Sequence, residues 1–178
     1  MKKDNIVKLV LSAVFLTLAY VMPFLTGQIP EIGAMLCPMH IPVFLCGFIC
    51  GWPYGLAVGF IAPLSRSLIL GMPPFFPGAV CMAFELATYG LVSGLLHKIL
   101  PKKNMFIYVS LISAMILGRI VWGAAMFVCM GINGGAFTFS AFIAGAITNS
   151  LLGIVSQLIL IPVIIILWQK VKISNSEK

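Results

Sequence analysis

Apolar residues run almost unbroken through this chain, and proline, glycine and charge divide it. The first apolar run extends from about Ile6 to Phe24 and ends near Pro23. A mixed stretch follows, TGQIPEIGAMLCPMH, carrying Gln28, Glu31 and His40. It is too polar to span a bilayer and too apolar for a solvated linker, which suggests a segment folded back over its neighbours. A short helix is expected from about Ile41 to Gly51. CGWPYG then marks a turn with interfacial aromatics, and a third helix runs from about Tyr54 to Leu70. GMPPFFP makes a second tight loop. A fourth helix, about Gly78 to Leu100, stops at PKKN, and a fifth covers about Met105 to Met130. After a loop at Gly131 to Gly135, a sixth helix runs unbroken from about Phe137 to Gln169.

Most of these runs reach the roughly 20 apolar residues that a membrane-spanning helix needs. None alternates polar and apolar residues as barrel strands do. The expected fold is therefore an all-α membrane protein, a compact bundle of six transmembrane helices forming one domain over residues 1–178. No tandem or inverted repeat is visible. Between Met39 and Gly90 glycines recur at Gly47, Gly51, Gly55 and Gly59. Small residues at that spacing let helices approach closely.

Composition agrees with this reading. The chain is 61% hydrophobic and 8% charged, against about 25% charged in a soluble domain. Its net charge is +7, and the lysines fall in three clusters: Lys2, Lys3 and Lys8; Lys98, Lys102 and Lys103; Lys170, Lys172 and Lys178. The loops at 27–40, 71–77 and 131–136 hold no lysine or arginine. By the positive-inside rule this sorting places both termini and the loop near 100–104 in the cytoplasm, in a membrane crossed several times. It gives no reason to expect a nucleic-acid partner. The amino terminus looks superficially like a signal peptide but lacks a small-residue cleavage site, so it reads as a retained first helix.

Five cysteines lie scattered in apolar sequence and read as small core residues. Cys46 and Cys50 stand one helical turn apart, without the further ligands a metal site uses. No metal or cofactor is expected. There is no G-x-x-x-x-G-K-[ST], H-E-x-x-H or G-x-S-x-G, so no ATPase, zinc-protease or serine-hydrolase chemistry is read here, and the chain is not expected to be an enzyme.

The candidate chemistry lies at membrane depth. Counted from the lysine-free ends at about 1.5 Å per residue, Glu85 is roughly 10–14 Å down the fourth helix, Arg119 and Asn149 roughly 17 Å down the fifth and sixth, and Arg66 about 8 Å down the third. A lone arginine at such depth costs about 2.5–3.5 kcal/mol on insertion scales. These groups should therefore converge on each other or on water. One reading is a structural ion pair, Glu85 with Arg119 or Arg66. The other is a ligand site, with one arginine left to face an anionic or strongly hydrogen-bonding molecule. The sixth helix carries Ala141, Gly145, Asn149, Gly153 and Gln157 on one face. Close packing explains the small residues but not the two amides. Tyr89 and Trp122 offer rings for stacking or simply pack. His40, at the outer boundary, either touches ligand or starts a helix at the interface. His97, among lysines, reads as solvated.

The layout of MHIPVFLCGFICGWPYGLAVGFIAPLSRSL and of AFELATYG resembles the substrate-capturing S components of energy-coupling factor (ECF) transporters, over nearly the whole chain. The resemblance implies capture of a water-soluble vitamin or vitamin precursor from outside. It implies partnership with a membrane T protein and two ATPase subunits, and inward release by toppling in the bilayer. Such proteins dock through a small-residue face on the first helix. Here the match is Ala13 with Thr17, flanked by Ser12, threonine replacing the second alanine. Two arginines against one glutamate lean towards a carboxylate-bearing cargo such as pantothenate, while Glu85 alternatively suits an amine or a pyrimidine ring. Two other classes stay open on sequence: a small oligomeric secondary transporter or channel with Glu85 as a protonatable gate, and a membrane scaffold.

Overall fold

The computed structural model of the chain describes residues 3–26, 35–101, 103–132 and 134–176. Gln28 and Glu31 of the first loop lie outside the described residues, as do Lys2, Lys102 and Lys178. Every regular element among the described residues is helical. Helix α1 covers Lys3–Val21 and continues as a 3-10 turn, Met22–Thr26. Helix α2 covers His40–Cys50, α3 Trp52–Leu70, α4 Val80–Ile99 and α5 Asn104–Ile132. Helix α6, Phe139–Ala146, and α7, Leu151–Ser176, stand where one sixth helix was expected.

Five segments are long and apolar enough to cross a membrane: α1, α3, α4, α5 and the α6–α7 stretch. Helix α2 has 11 residues, or about 16 Å, against a hydrocarbon core of about 30 Å. It is enclosed instead. All of its residues except Ile49 are buried, and it packs against α1, α3, α4 and α7.

Glycine sets the approach of α2, α3 and α4. The turn between α2 and α3 is the single residue Gly51, at φ 102°, whose N–H donates to the Cys46 and Gly47 carbonyls. Only glycine adopts that conformation cheaply. Pro53 then fits the first turn of α3, where its missing N–H costs nothing. That is why α3 starts at Trp52 rather than after the proline. Gly47, Gly55 and Gly90 meet backbone to backbone. A Cβ on Gly55 would lie 2.7 Å from the Gly47 Cα and 2.7 Å from the Gly90 carbonyl oxygen. Around this contact Phe15, Phe44, Leu86, Ile107, Leu111, Ile161 and Ile165 form the core.

The break in the sixth segment has a local cause. Ile147 leaves helical geometry at φ −123°, ψ −62°, and Thr148–Ser150 forms a 3-10 turn. The Ser150 hydroxyl donates back to the Gly145 and Ala146 carbonyls. Three consecutive residues whose side chains compete for backbone hydrogen bonds interrupt the regular ladder.

Candidate functional site

Glu85 and Tyr89 stand one turn apart on α4 and share a face. Both are buried, Glu85 to 2% exposure. The Tyr89 hydroxyl donates to Glu85 Oε1 at 2.6 Å. From α5, Arg119 Nη1 reaches the same oxygen at 2.9 Å. From the start of α2, His40 Nε2 lies 3.8 Å away, beyond hydrogen-bond distance. Three residues, one each from α4, α5 and α2, thus surround one carboxylate oxygen. Gly118, preceding Arg119, makes room for the pair, since a Cβ there would strike the Tyr89 ring. That ring stacks on Phe44 at 4.7 Å and tilts against His40 at 5.4 Å.

The described part of the first loop lies against this cluster. The Cys37 thiol, at a left-handed backbone position of φ 45°, sits beside the Arg119 guanidinium. Burial pushes that thiol up to about 11, an effect that Arg119 only partly offsets. The Met35 and Leu36 carbonyls rest on α7 at Gly153, where a Cβ would lie 2.9 Å from either oxygen. Met35 to His40 therefore bridges α4, α5 and α7.

The remaining candidates are distributed differently. Arg66 is 7% exposed on α3. Its Nη1 donates to the Met72 carbonyl at 3.0 Å and lies 4.0 Å from the Met39 sulfur. It makes no ion pair with a carboxylate among the described residues. Gln157 is buried on α7. Trp122 is half-buried on α5, stacked on Phe142, edge-on to Phe137 and seated on Gly145. Asn149 was expected in the same gathering. It is exposed instead, because the break at 147–150 takes it off the inward face. The expected docking trio also divides. Ala13 and Thr17 face outward, the Thr17 hydroxyl bonded to the Ala13 carbonyl, whereas Ser12 turns inward, 3.7 Å from the Cys46 sulfur. His97, expected in solvent, is half-buried with its ring edge-on to Phe48.

Sequence reasoning missed Cys37 beside Arg119, Met39 against Arg66 and Phe44 under the Tyr89 ring. The only signal was their closeness to His40 in the chain. Among the described residues no group of three or more metal-ligating side chains gathers. The cluster is a desolvated carboxylate held by two donors, with an imidazole beside it whose Nδ1 and Nε2 are both buried and without a hydrogen-bond partner.

No curated protein and no solved structure matches the chain. A family model described as ECF transporter, substrate-specific component, matches residues 7–165.

Proposed function

The chain belongs to the substrate-specific components of ECF transporters, and from that premise we propose that it captures a water-soluble vitamin or vitamin precursor at the outer face of a bacterial cytoplasmic membrane. Members of this family are transporter subunits rather than catalysts. Energy comes from a T protein and two ATPase subunits, with which this chain docks through the outward face of α1 at Ala13 and Thr17. Both termini lie in the cytoplasm, and α2 counts as the sixth helix of the bundle. Glu85, Arg119, Tyr89 and His40 form the deep end of the binding site, with Arg66, Gln157 and Trp122 as further contacts.

The observation that carries this reading is the buried carboxylate cluster beneath the Met35–His40 segment. Donors from α4 and α5, with the His40 imidazole of α2 alongside, converge there on Glu85 Oε1. An ionic group at such depth is expensive to maintain and marks function by default.

Native mass spectrometry of the purified chain tests the reading. The expected result is one small polar molecule bound per chain, lost in Glu85→Gln or Arg119→Gln while the protein stays folded. Uptake in cells should collapse when the ATPase partners are removed. Uptake by this chain alone, driven by a proton or sodium gradient, would overturn the proposal.

A further inference from the structure

Arg66 is the cation that the carboxylate cluster leaves unused. Glu85 is already engaged by Arg119 at 2.9 Å, and the remaining carboxylate in a described helix, Asp4, begins α1 at the opposite end of the bundle. Arg66 is nevertheless more than nine-tenths buried. Its Nη1 holds the Met72 carbonyl, a task any neutral donor would perform, and its Nε is buried without a partner. A buried guanidinium with an idle donor is expensive unless something anionic completes it.

The surroundings of Arg66 are electropositive as well. Its guanidinium lies against Met39, the residue that precedes α2. Met39 provides no capping side chain, so the first turn of α2 has none of the usual side-chain acceptors. The helix start still carries a partial positive charge, although the His40 N–H is taken by the Cys37 carbonyl and Pro42 has no N–H. His40, the first residue of α2, adds two more buried nitrogens without partners. Unpartnered side-chain nitrogens of Arg66 and His40 thus lie to either side of Met39.

The register of α3 on α4 fixes how far this point lies from the carboxylate. Gly59 abuts Leu86 and Gly55 abuts Gly90. Arg66 is therefore level with Ala79, about 9 Å along the axis from Glu85. Met39 and His40 link the two levels, one touching Arg66 and the other facing Glu85.

We propose that the Arg66 guanidinium, beside the start of α2, forms an anion site that takes the carboxylate end of the captured molecule, with His40 and Glu85 at its opposite end. This rests on the capture reading and gives it a substrate class: a small organic monoanion with a hydrogen-bonding group some 9 Å from its carboxylate. A bidentate carboxylate on Arg66 supplies the charge-assisted bonds that its Nε lacks.

Thermal unfolding of the full chain in lipid nanodiscs tests this with matched probes: sodium pantothenate against panthenol, and biotin against biotinamide. At least one acid should bind roughly tenfold or more tightly than its neutral counterpart. Arg66→Gln should erase that preference. Arg66→Lys, which keeps the charge and the bond to Met72, should retain only part of it. The Lys variant and the acid-to-neutral comparison in the unmodified chain remain decisive if Arg66→Gln does not fold. Equal binding of acid and neutral members overturns the anion site while leaving small-molecule capture intact. An acid preference unchanged in Arg66→Gln overturns it too, as does the absence of binding by every acid; in that last case a co-purified molecule in native mass spectrometry still supports capture.

Discussion

At the scale of single residues, the question is what a buried charge does when its partner is removed. Glu85 and Arg119 satisfy each other at 2.9 Å inside the bundle. Removing one side of such a pair leaves an uncompensated charge and costs about 3–5 kcal/mol, whereas removing both costs less. Arg119→Gln alone should therefore lower the unfolding free energy by more than Arg119→Gln combined with Glu85→Gln. Denaturant unfolding in detergent measures this, and simple additivity of the two single losses would show that the groups are not coupled. Cys37 gives a second residue-level expectation. Because its thiol is shifted up to about 11, it stays neutral near pH 7.5 and becomes a thiolate only as the pH climbs towards that value. Maleimide modification of Cys37 should be much slower than that of free cysteine at pH 7.5 and should accelerate towards pH 11. Fast labelling at pH 7.5 would place this thiol in solvent rather than beside Arg119. The pairing of Glu85 with Arg119 was legible in the sequence as one of two options, because two ionic groups at matching depth have few other places to go. The role of Cys37 was not legible, since a cysteine in apolar sequence looks the same whether it faces a guanidinium or a leucine.

At the scale of elements, contact between backbones decides which substitutions the bundle accepts. A methyl group on Gly90 would fall onto the backbone of Gly55, whereas one on Gly131 meets nothing within 4 Å. Gly90→Ala should therefore destabilise the protein by at least the roughly 1–3 kcal/mol of an overpacked core. Gly131→Ala, in the last turn of α5, should be neutral or gain up to about 1 kcal/mol from helix propensity. Paired melting curves check this, and equal midpoints would mean that α3 and α4 do not meet at these glycines. Glycine spacing made close packing legible from the sequence, although it could not say which helix each glycine faces. The interrupted sixth segment shows the opposite case. Its hydropathy is continuous, so periodicity alone read one helix. Thr148, Asn149 and Ser150 end the regular ladder through backbone competition, which hydropathy does not register. The exposure of Asn149 follows from that one missed break.

At the scale of the whole molecule, α1, α3, α4 and α7 enclose α2, a helix too short to cross a bilayer. A helix buried on all sides needs no lipid to cover it, so its length is set by its neighbours rather than by the bilayer. That leaves α2 free to begin partway down the bundle and to bring His40 to the level of Glu85. The lysine sorting that gave the orientation acts on the loops and is independent of this interior arrangement, so it needs its own measurement. The five native cysteines are buried, which makes introduced thiols readable above them. Phe139 is 78% exposed at the start of α6, next to a lysine-free loop, and Lys103 is exposed beside α5 at the opposite end. In intact cells a membrane-impermeant maleimide should label Phe139→Cys and spare Lys103→Cys until the membrane is permeabilised. The reverse pattern would turn the bundle over. The Met35 to His40 end would then face the cytoplasm, and capture from outside could not be the function of the Glu85 cluster.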